Sequence, residues 1–434
     1  MTNEINIGIL GGGISGLSLA YFLQYDHNVQ NYEILEKGNL CGGLCTTFEK
    51  NGFMYDIGGH IIFSSNKEIL KFEIDLMGDR IHKKRRNNKI WYKGRLVKYP
   101  FENGLYALDK DEIFECLRDY LNNNHPKPTN LKEWFYYTFG TSLSEKYMLP
   151  YNEKIWKIDP QNMGIEWVER IPKPPIEDVI KSAIGIETEG YTHQLYFYYP
   201  IVGGFQSVIR RFEEKVKNIK TNKEVIEISK SGRNWIVRTK DSEHSYEKLI
   251  STISILDLIR VLKEEIPKDV IDAVNNLRYN SMFVVLVGLN KIKFADLTAL
   301  YVPDEESLAH RYCFSAGFSD NLSPKGCSSI FAEITFNPKE NVLPKQEVID
   351  KTVWWLEKEG FITKDEICET DIKYIKYAYP VYTKDYMENV KIIYKFFDRL
   401  GIHLLGRFAQ FVYINSDVCI VNAKALAEKI NMKG

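Results

Sequence analysis

Three glycines and one acid near the N-terminus have the types and spacing to hold a dinucleotide. Gly11, Gly13 and Gly16 fit G-x-G-x-x-G, and Glu36 follows Gly16 by twenty residues. Gly11 permits a tight turn, Gly13 leaves room for a pyrophosphate, and Gly16 lets a helix pack closely on a strand. A pyrophosphate would sit on the amides at the positive end of that helix. Glu36 could accept hydrogen bonds from ribose hydroxyls. The elements that must position these groups are visible around them. "INIGILGGGISGLSLAYFLQ" predicts an apolar strand, a Gly-rich turn and a helix, and "YEILEK" predicts a second strand ending at the acid.

Two further glycine pairs extend the site. Gly42-Gly43 follow the acid, and Gly58-Gly59 follow a strand containing Tyr55 and Asp56. A simple NAD domain does not need them. Two more close backbone approaches suit a ligand that runs on from pyrophosphate through a ribityl chain to a flavin ring, so the expected cofactor is FAD.

The E-K-x(4)-G-G-L run followed by "GFMYDIGGH" resembles the flavin-binding half of the amine-oxidase and glutathione-reductase-like superfamily. Six more segments, in order along the chain, are similar to UDP-galactopyranose mutases, especially the eukaryotic type. "GGHIIFSSN" resembles their mobile histidine loop, and "VKYPFENGLYAL" their Y-P-F-Q-N segment. "LPYNEKIWKIDPQNMGIEWVERI" resembles P-Y-N-x-K-x-W…M-x-x-E-W-V-x-R. "HRYCFSAGFSDNLSP" resembles the strand carrying an active-site arginine. "YAYPVYTKDY" and "GIHLLGRFAQFVYINSD" resemble the two closing segments.

This resemblance implies pyranose–furanose interconversion of a nucleotide sugar for cell-surface glycan synthesis. Reduced flavin N5 attacks the anomeric carbon, the nucleoside diphosphate leaves and returns, and the sugar ring recloses through a different hydroxyl with no net oxidation. A phosphate is already a good leaving group, so the site needs cations more than a protein acid. The resemblance assigns Arg311 and Arg407 to the diphosphate, with Arg170 nearby. Tyr301, Tyr379 and Tyr413 would donate phenol hydrogen bonds to the same oxygens, Gln194 would lie near the sugar, and His60 would titrate beside the flavin. It also implies cofactor contacts from Gly11, Gly13, Ser15, Gly16, Glu36, Lys37, Gly42, Gly43, Leu44, Gly58, Gly59, His60, Val225, Arg407 and Asp417. The implied partners are a UDP-type sugar and a reductant such as NAD(P)H or a reductase, with a homo-oligomer possible in principle. The competing reading is an FAD-dependent oxidase or desaturase of the amine-oxidase or protoporphyrinogen-oxidase type.

Composition narrows the rest. A net charge of -1 argues against nucleic acid as a partner. Seven unpatterned cysteines suit free thiols in a reducing cytoplasm and suggest no zinc site. There is neither a signal-peptide pattern nor an apolar run long enough to span a bilayer. The length predicts two or three domains, and the strand–turn–helix motif together with the resemblance implies an α/β (α+β) class. We expect a discontinuous Rossmann-like FAD domain (1–80, 195–260, 395–434), an inserted helical domain (103–190) and an antiparallel sheet domain (81–102, 265–394). "DEIFECLRDYLNN" predicts a helix burying Ile113, Phe114, Leu117, Tyr120 and Leu121. "PYNEKIWKIDP" lacks a period and predicts an irregular connection whose Tyr151, Asn152 and Trp156 shape a cleft. The basic run 82–89 predicts a solvated loop.

Overall fold

A computed structural model describes residues 6–189, 195–340 and 342–432. Strand Ile7–Leu10 is fully buried and lies at the centre of a five-stranded parallel sheet. Its neighbours are Tyr32–Leu35 on one side and Lys248–Ser251 on the other, with Ile7 opposite Tyr32 and Lys248. Ile219–Lys220 and Ile402–Leu404 form the edges. Strands buried on both faces are continuous apolar runs, as "IGIL" is. Helix Ile14–Tyr25 packs against the C-terminal helix Ser416–Asn431 and against Gln206–Lys215. Segments far apart in sequence therefore build one dinucleotide fold.

A second, seven-stranded sheet is built on Arg278–Leu289, which pairs with Ser328–Phe336 and with Ile367–Val381. The sheet continues through Arg311–Phe314, Ala299–Tyr301, Asn88–Tyr92 and Arg95–Lys98. The expected antiparallel order holds except at one pair: Ala299–Tyr301 runs parallel to Asn88–Tyr92. Parallel neighbours need a long crossover, and here the chain passes through the helical region and back through the parallel sheet before it returns. One face of this sheet packs on helix Lys345–Lys358, where Trp355 stacks on Tyr312 at 5.0 Å. Helix Tyr386–Leu400 spans the 394/395 boundary drawn from the sequence.

Three local expectations need correction. The segment around Pro150 is helical: Leu131–Leu143 continues through a wide turn, Ser144–Met148, into Leu149–Trp156. Pro150 is the second residue after that wide turn. Asn152 donates to the Met148 carbonyl at 2.8 Å and accepts from Trp156 Nε1 at 3.0 Å, so tertiary burial and side-chain bonds override the missing period. In helix Lys110–Leu121 the fully buried residue is Cys116, while Phe114 and Leu121 are exposed. The apolar spacing identified the helix but not which flank faces the core. Finally, the basic run is not a loop: Ile81–Arg85 pairs with Tyr196–Pro200. Among the described residues no helix is long and apolar enough to cross a membrane.

Candidate active site

The glycine turn and Glu36 lie beyond the carboxyl ends of the parallel strands Ile7–Leu10 and Tyr32–Leu35, where the chain leaves each strand for a turn or helix. The Gly11 amide donates to the Leu35 carbonyl at 2.8 Å, and Gly11 has a φ of 106° that disfavours a side chain. A Cβ on Gly16 would lie 2.1 Å from the Gly11 carbonyl oxygen, so only glycine lets the helix approach its strand. A Cβ on Gly13 would meet nothing closer than the Gly42 oxygen at 3.9 Å. Gly13 and Gly43 thus flank an open cradle at the start of helix Ile14–Tyr25, with amides available to an anion. Glu36 accepts from the Gly12 amide at 2.8 Å and the Gly38 amide at 2.7 Å, which fixes its carboxylate beside the cradle. Lys223 donates its amide to the Glu36 carbonyl, bringing Val225 and its strand close. Ser15 is buried under Gly406, and Lys37 is exposed.

Next to this turn lies a cavity of about 770 Å³, where the parallel sheet, the large sheet and the helical region meet. It brings together Leu44, Gly58, Gly59, His60, Arg170, Tyr301, Arg311, Tyr379, Arg407, Tyr413 and Asp417. Tyr151, Asn152 and Trp156 line it too. Gln194 lies outside the described residues. The remaining glycines, Ser15, Glu36, Lys37 and Val225 belong to the nucleotide turn and its surroundings, not to the cavity wall.

The three arginines differ in how their charge is met. Arg311 forms a fork on Glu333, with Nε at 2.8 Å and Nη2 at 2.7 Å. Glu333 is fully buried and also accepts from the Gly59 amide at 3.2 Å and the Tyr379 hydroxyl at 3.4 Å. Burial disfavours the Arg311 cation, but the carboxylate outweighs it and holds the guanidinium well above its ordinary value. Arg407 donates Nε and Nη2 to the Ile414 carbonyl at 2.9 and 2.7 Å and Nη1 to the Ala378 carbonyl at 3.3 Å. Arg170 donates to the Tyr413 carbonyl at 2.6 Å and to Asn415, and its guanidinium lies 3.9 Å from the Tyr413 ring centre. Among the described residues neither Arg170 nor Arg407 pairs with a carboxylate.

His60 is held by the glycine pair before it, its amide bonded to the Gly58 carbonyl at 2.8 Å. Its Nδ1 is buried with no partner. Burial, then Arg407 and Arg311, push its pKa down to about 3. In the ligand-free site His60 is therefore neutral, because it is desolvated and two cations lie near it. Tyr379 is pushed up by burial and then by Glu333, so it stays a phenol donor. Asp417 is buried in the first turn of helix Ser416–Asn431.

Sequence reading missed Glu333, because an acid inside "SSIFAEITF" looks like an alternation defect in a strand. That defect, a charge in a central strand, was the available signal. It also missed Arg86, whose run ends a strand and leaves this one side chain on the cavity. Glu102, wholly buried on the same wall, was missed as well.

A parallel sheet with a glycine-cradled helix, an acid fixed beside that cradle and an adjoining cavity defines a dinucleotide-binding protein, and its residues fit FAD. The family model described as flavin-containing amine oxidoreductase matches residues 14–366, and the chain belongs to that family. Solved structures share the fold. Reduced UDP-galactopyranose mutase aligns over 99% of this chain and 96% of its own, at 23% identity and a TM-score of 0.92. A putative protoporphyrinogen oxidase from Exiguobacterium sp. 255-15 aligns over 100% of both chains at 20% identity and a TM-score of 0.78. Cyclohexylamine oxidase from Brevibacterium oxydans IH-35A aligns over 99% of both at 13% identity and a TM-score of 0.69. The protein is a flavin-dependent enzyme with FAD as its cofactor.

Proposed function

We propose that this enzyme is a nucleotide-sugar mutase that interconverts pyranose and furanose forms, UDP-galactose or a related nucleotide hexose being the substrate. One observation carries the reading: Arg170 and Arg407 hydrogen-bond only to neutral groups, so two guanidinium groups on the cavity have no direct carboxylate partner and are placed to meet an anion. A nucleoside diphosphate supplies the matching negative charge. An amine or hydrocarbon substrate has no use for it, and a cationic amine would be repelled.

Bound reduced flavin would supply the nucleophile at the anomeric carbon. The chain's own residues do the rest. Arg170 and Arg407 hold the diphosphate as charge develops on it and keep it nearby for its return. Arg311, tied to Glu333, contributes a fixed guanidinium edge with a smaller net field. Tyr301, Tyr379 and Tyr413 donate neutral hydrogen bonds. Neutral His60 takes no positive charge that would compete with the sugar. Trp156 and Tyr151 exclude water from the reacting carbon. A reductant such as NAD(P)H or a reductase keeps the cofactor competent.

The test uses the reduced holoprotein with UDP-galactopyranose and a panel of nucleotide sugars, followed by NMR. Furanose product without net consumption of reductant is expected. Stoichiometric peroxide from an amine, with no isomerisation, would replace this reading by an oxidase. Arg170→Ala should weaken nucleotide-sugar binding at least about tenfold, the effect of removing one charged hydrogen-bonding partner, while the protein keeps its yellow spectrum.

A further inference from the structure

A second group of chemistry-bearing side chains lies where a small antiparallel sheet, Val225–Ser231, Asn234–Thr239 and Glu243–Tyr246, meets the parallel sheet. None of them lines the cavity. Gly8, in the central parallel strand, makes the meeting possible. A Cβ there would lie 2.4 Å from the Tyr246 ring, so only glycine lets that ring settle against the strand. Glu33 stands opposite Gly8 on the neighbouring strand. The Tyr246 hydroxyl donates to Glu33 Oε2 at 2.5 Å, and His244 Nδ1 lies 2.7 Å from the same oxygen. The other ring nitrogen of His244, Nε2, is 2.9 Å from Ser242 Oγ. One line of hydrogen bonds thus joins a carboxylate, an imidazole and a primary hydroxyl.

The direction of the protons follows from the partners. An ionised carboxylate only accepts, so Nδ1 carries the imidazole proton and Nε2 turns its lone pair to Ser242. Two other groups approach the Ser242 hydroxyl. Thr239 Oγ1, at 2.7 Å, already accepts from the Ser242 amide at 3.2 Å and has a proton of its own to give. The Asp241 carboxylate lies farther, at 3.3 Å, and Lys223 meets its charge at 2.7 Å. The Ser242 proton therefore goes to the imidazole. The Glu33 and His244 side chains are only 22% and 14% exposed, so the acid and base are held still, while Ser242 is open enough for a small molecule to reach.

We propose that Ser242 is a nucleophile, with His244 as its general base and Glu33 as the group that orients the base, and that this second centre takes small carboxylic esters. Such a constellation is defined by geometry and roles, not by order along the chain. Ser242 Oγ attacks the acyl carbon as its proton passes to His244 Nε2. The bond to the leaving alcohol breaks, and the alcohol takes that proton from Nε2. Water then repeats the attack on the acyl-serine, again through Nε2, and releases the free acid with Ser242 restored. No oxidant or reductant enters. The centre is independent of the flavin and of the nucleotide-sugar reading.

The experiment treats holoprotein, its FAD spectrum intact, with a fluorophosphonate, which transfers a phosphonyl group to an activated serine and loses fluoride. Peptide mass spectrometry locates the adduct, and p-nitrophenyl acetate reports turnover. Wild type should label at Ser242 and not at Ser245, an exposed serine on the same strand that bonds to Asn234 and has no imidazole partner. His244→Ala should slow labelling and turnover at least about 100-fold, the loss expected on removing a general base. Glu33→Gln, which leaves the imidazole tautomer unfixed, should slow both at least about tenfold. Ser242→Ala keeps the acid–base pair intact and should abolish turnover while the FAD spectrum is unchanged. No adduct at Ser242 in wild type, equal labelling in His244→Ala, or full turnover in Ser242→Ala would overturn the assignment and leave the cluster as a tie between two sheets.

Discussion

Replacing Glu333 by Gln tests the electrostatic account of the site. The substitution preserves shape and removes one buried negative charge. Arg311 then loses the two charge-assisted bonds at 2.8 and 2.7 Å that offset its burial. Breaking a buried pair from one side costs about 3–5 kcal/mol, because the other charge is left uncompensated. The principal core draws on all three parts of the chain, so unfolding should be cooperative. An unfolding entropy of about 2.1 cal/mol/K per residue over 434 residues is about 0.9 kcal/mol/K. The thermal midpoint of the ligand-free protein should therefore drop by about 3–5 °C. Binding should change in the opposite direction. A freed guanidinium about 6 Å from a phosphate, in an effective dielectric near 20, attracts it by about 3 kcal/mol before screening. A net gain of about 1 kcal/mol is roughly fivefold tighter diphosphate binding, and added UDP should restore part of the lost midpoint. Differential scanning fluorimetry and calorimetric titration read both. An unchanged midpoint, or weaker UDP binding, would show that Glu333 does not neutralise Arg311 as described.

Other outcomes follow from the same geometry. With its folded pKa held near 3 against about 6.5 when unfolded, His60 takes up its proton only in the unfolded chain as pH falls below about 6.5. It therefore removes stability on acidification, and His60→Asn should flatten the loss of urea midpoint between pH 7.5 and 5. An equally steep loss in the variant would refute a neutral, desolvated His60. Gly16→Ala should unfold or fail to express, since its Cβ would lie 2.1 Å from a backbone oxygen. Gly13→Ala should fold with an unchanged apo-protein midpoint, because its nearest neighbour is 3.9 Å away. It should nonetheless release FAD, seen as lost absorbance near 450 nm on gel filtration.

The nucleotide turn was legible from the chain because its requirements are local. A tight turn, an open cradle and a close helix contact each demand glycine at a fixed offset, so Gly11, Gly13 and Gly16 state their geometry within six positions. The strand pair beside "SSIFAEITF" was equally plain from its apolar run. Helix Leu149–Trp156 was not, because its face is set by Asn152 bonding to Met148 and Trp156, not by a repeating pattern. Likewise Phe114 and Leu121 have the right spacing for a core and still face solvent, since neighbouring helices cover only the other flank.

Residue types and offsets alone determined the dinucleotide turn and pointed to a flavin, while the arginines and tyrosines were singled out for anions only through the family resemblance. Only the tertiary structure decided that Arg170, Arg311 and Arg407, which lie far apart along the chain, line one cavity, and that a buried acid pairs with one of them while the other two bond to neutral groups. It also decided that His60 is neutral and that Glu102 is wholly buried beside the cavity. The physical reason is that charge compensation and desolvation act through space over a few ångströms, and no spacing along the chain encodes which distant groups will come that close.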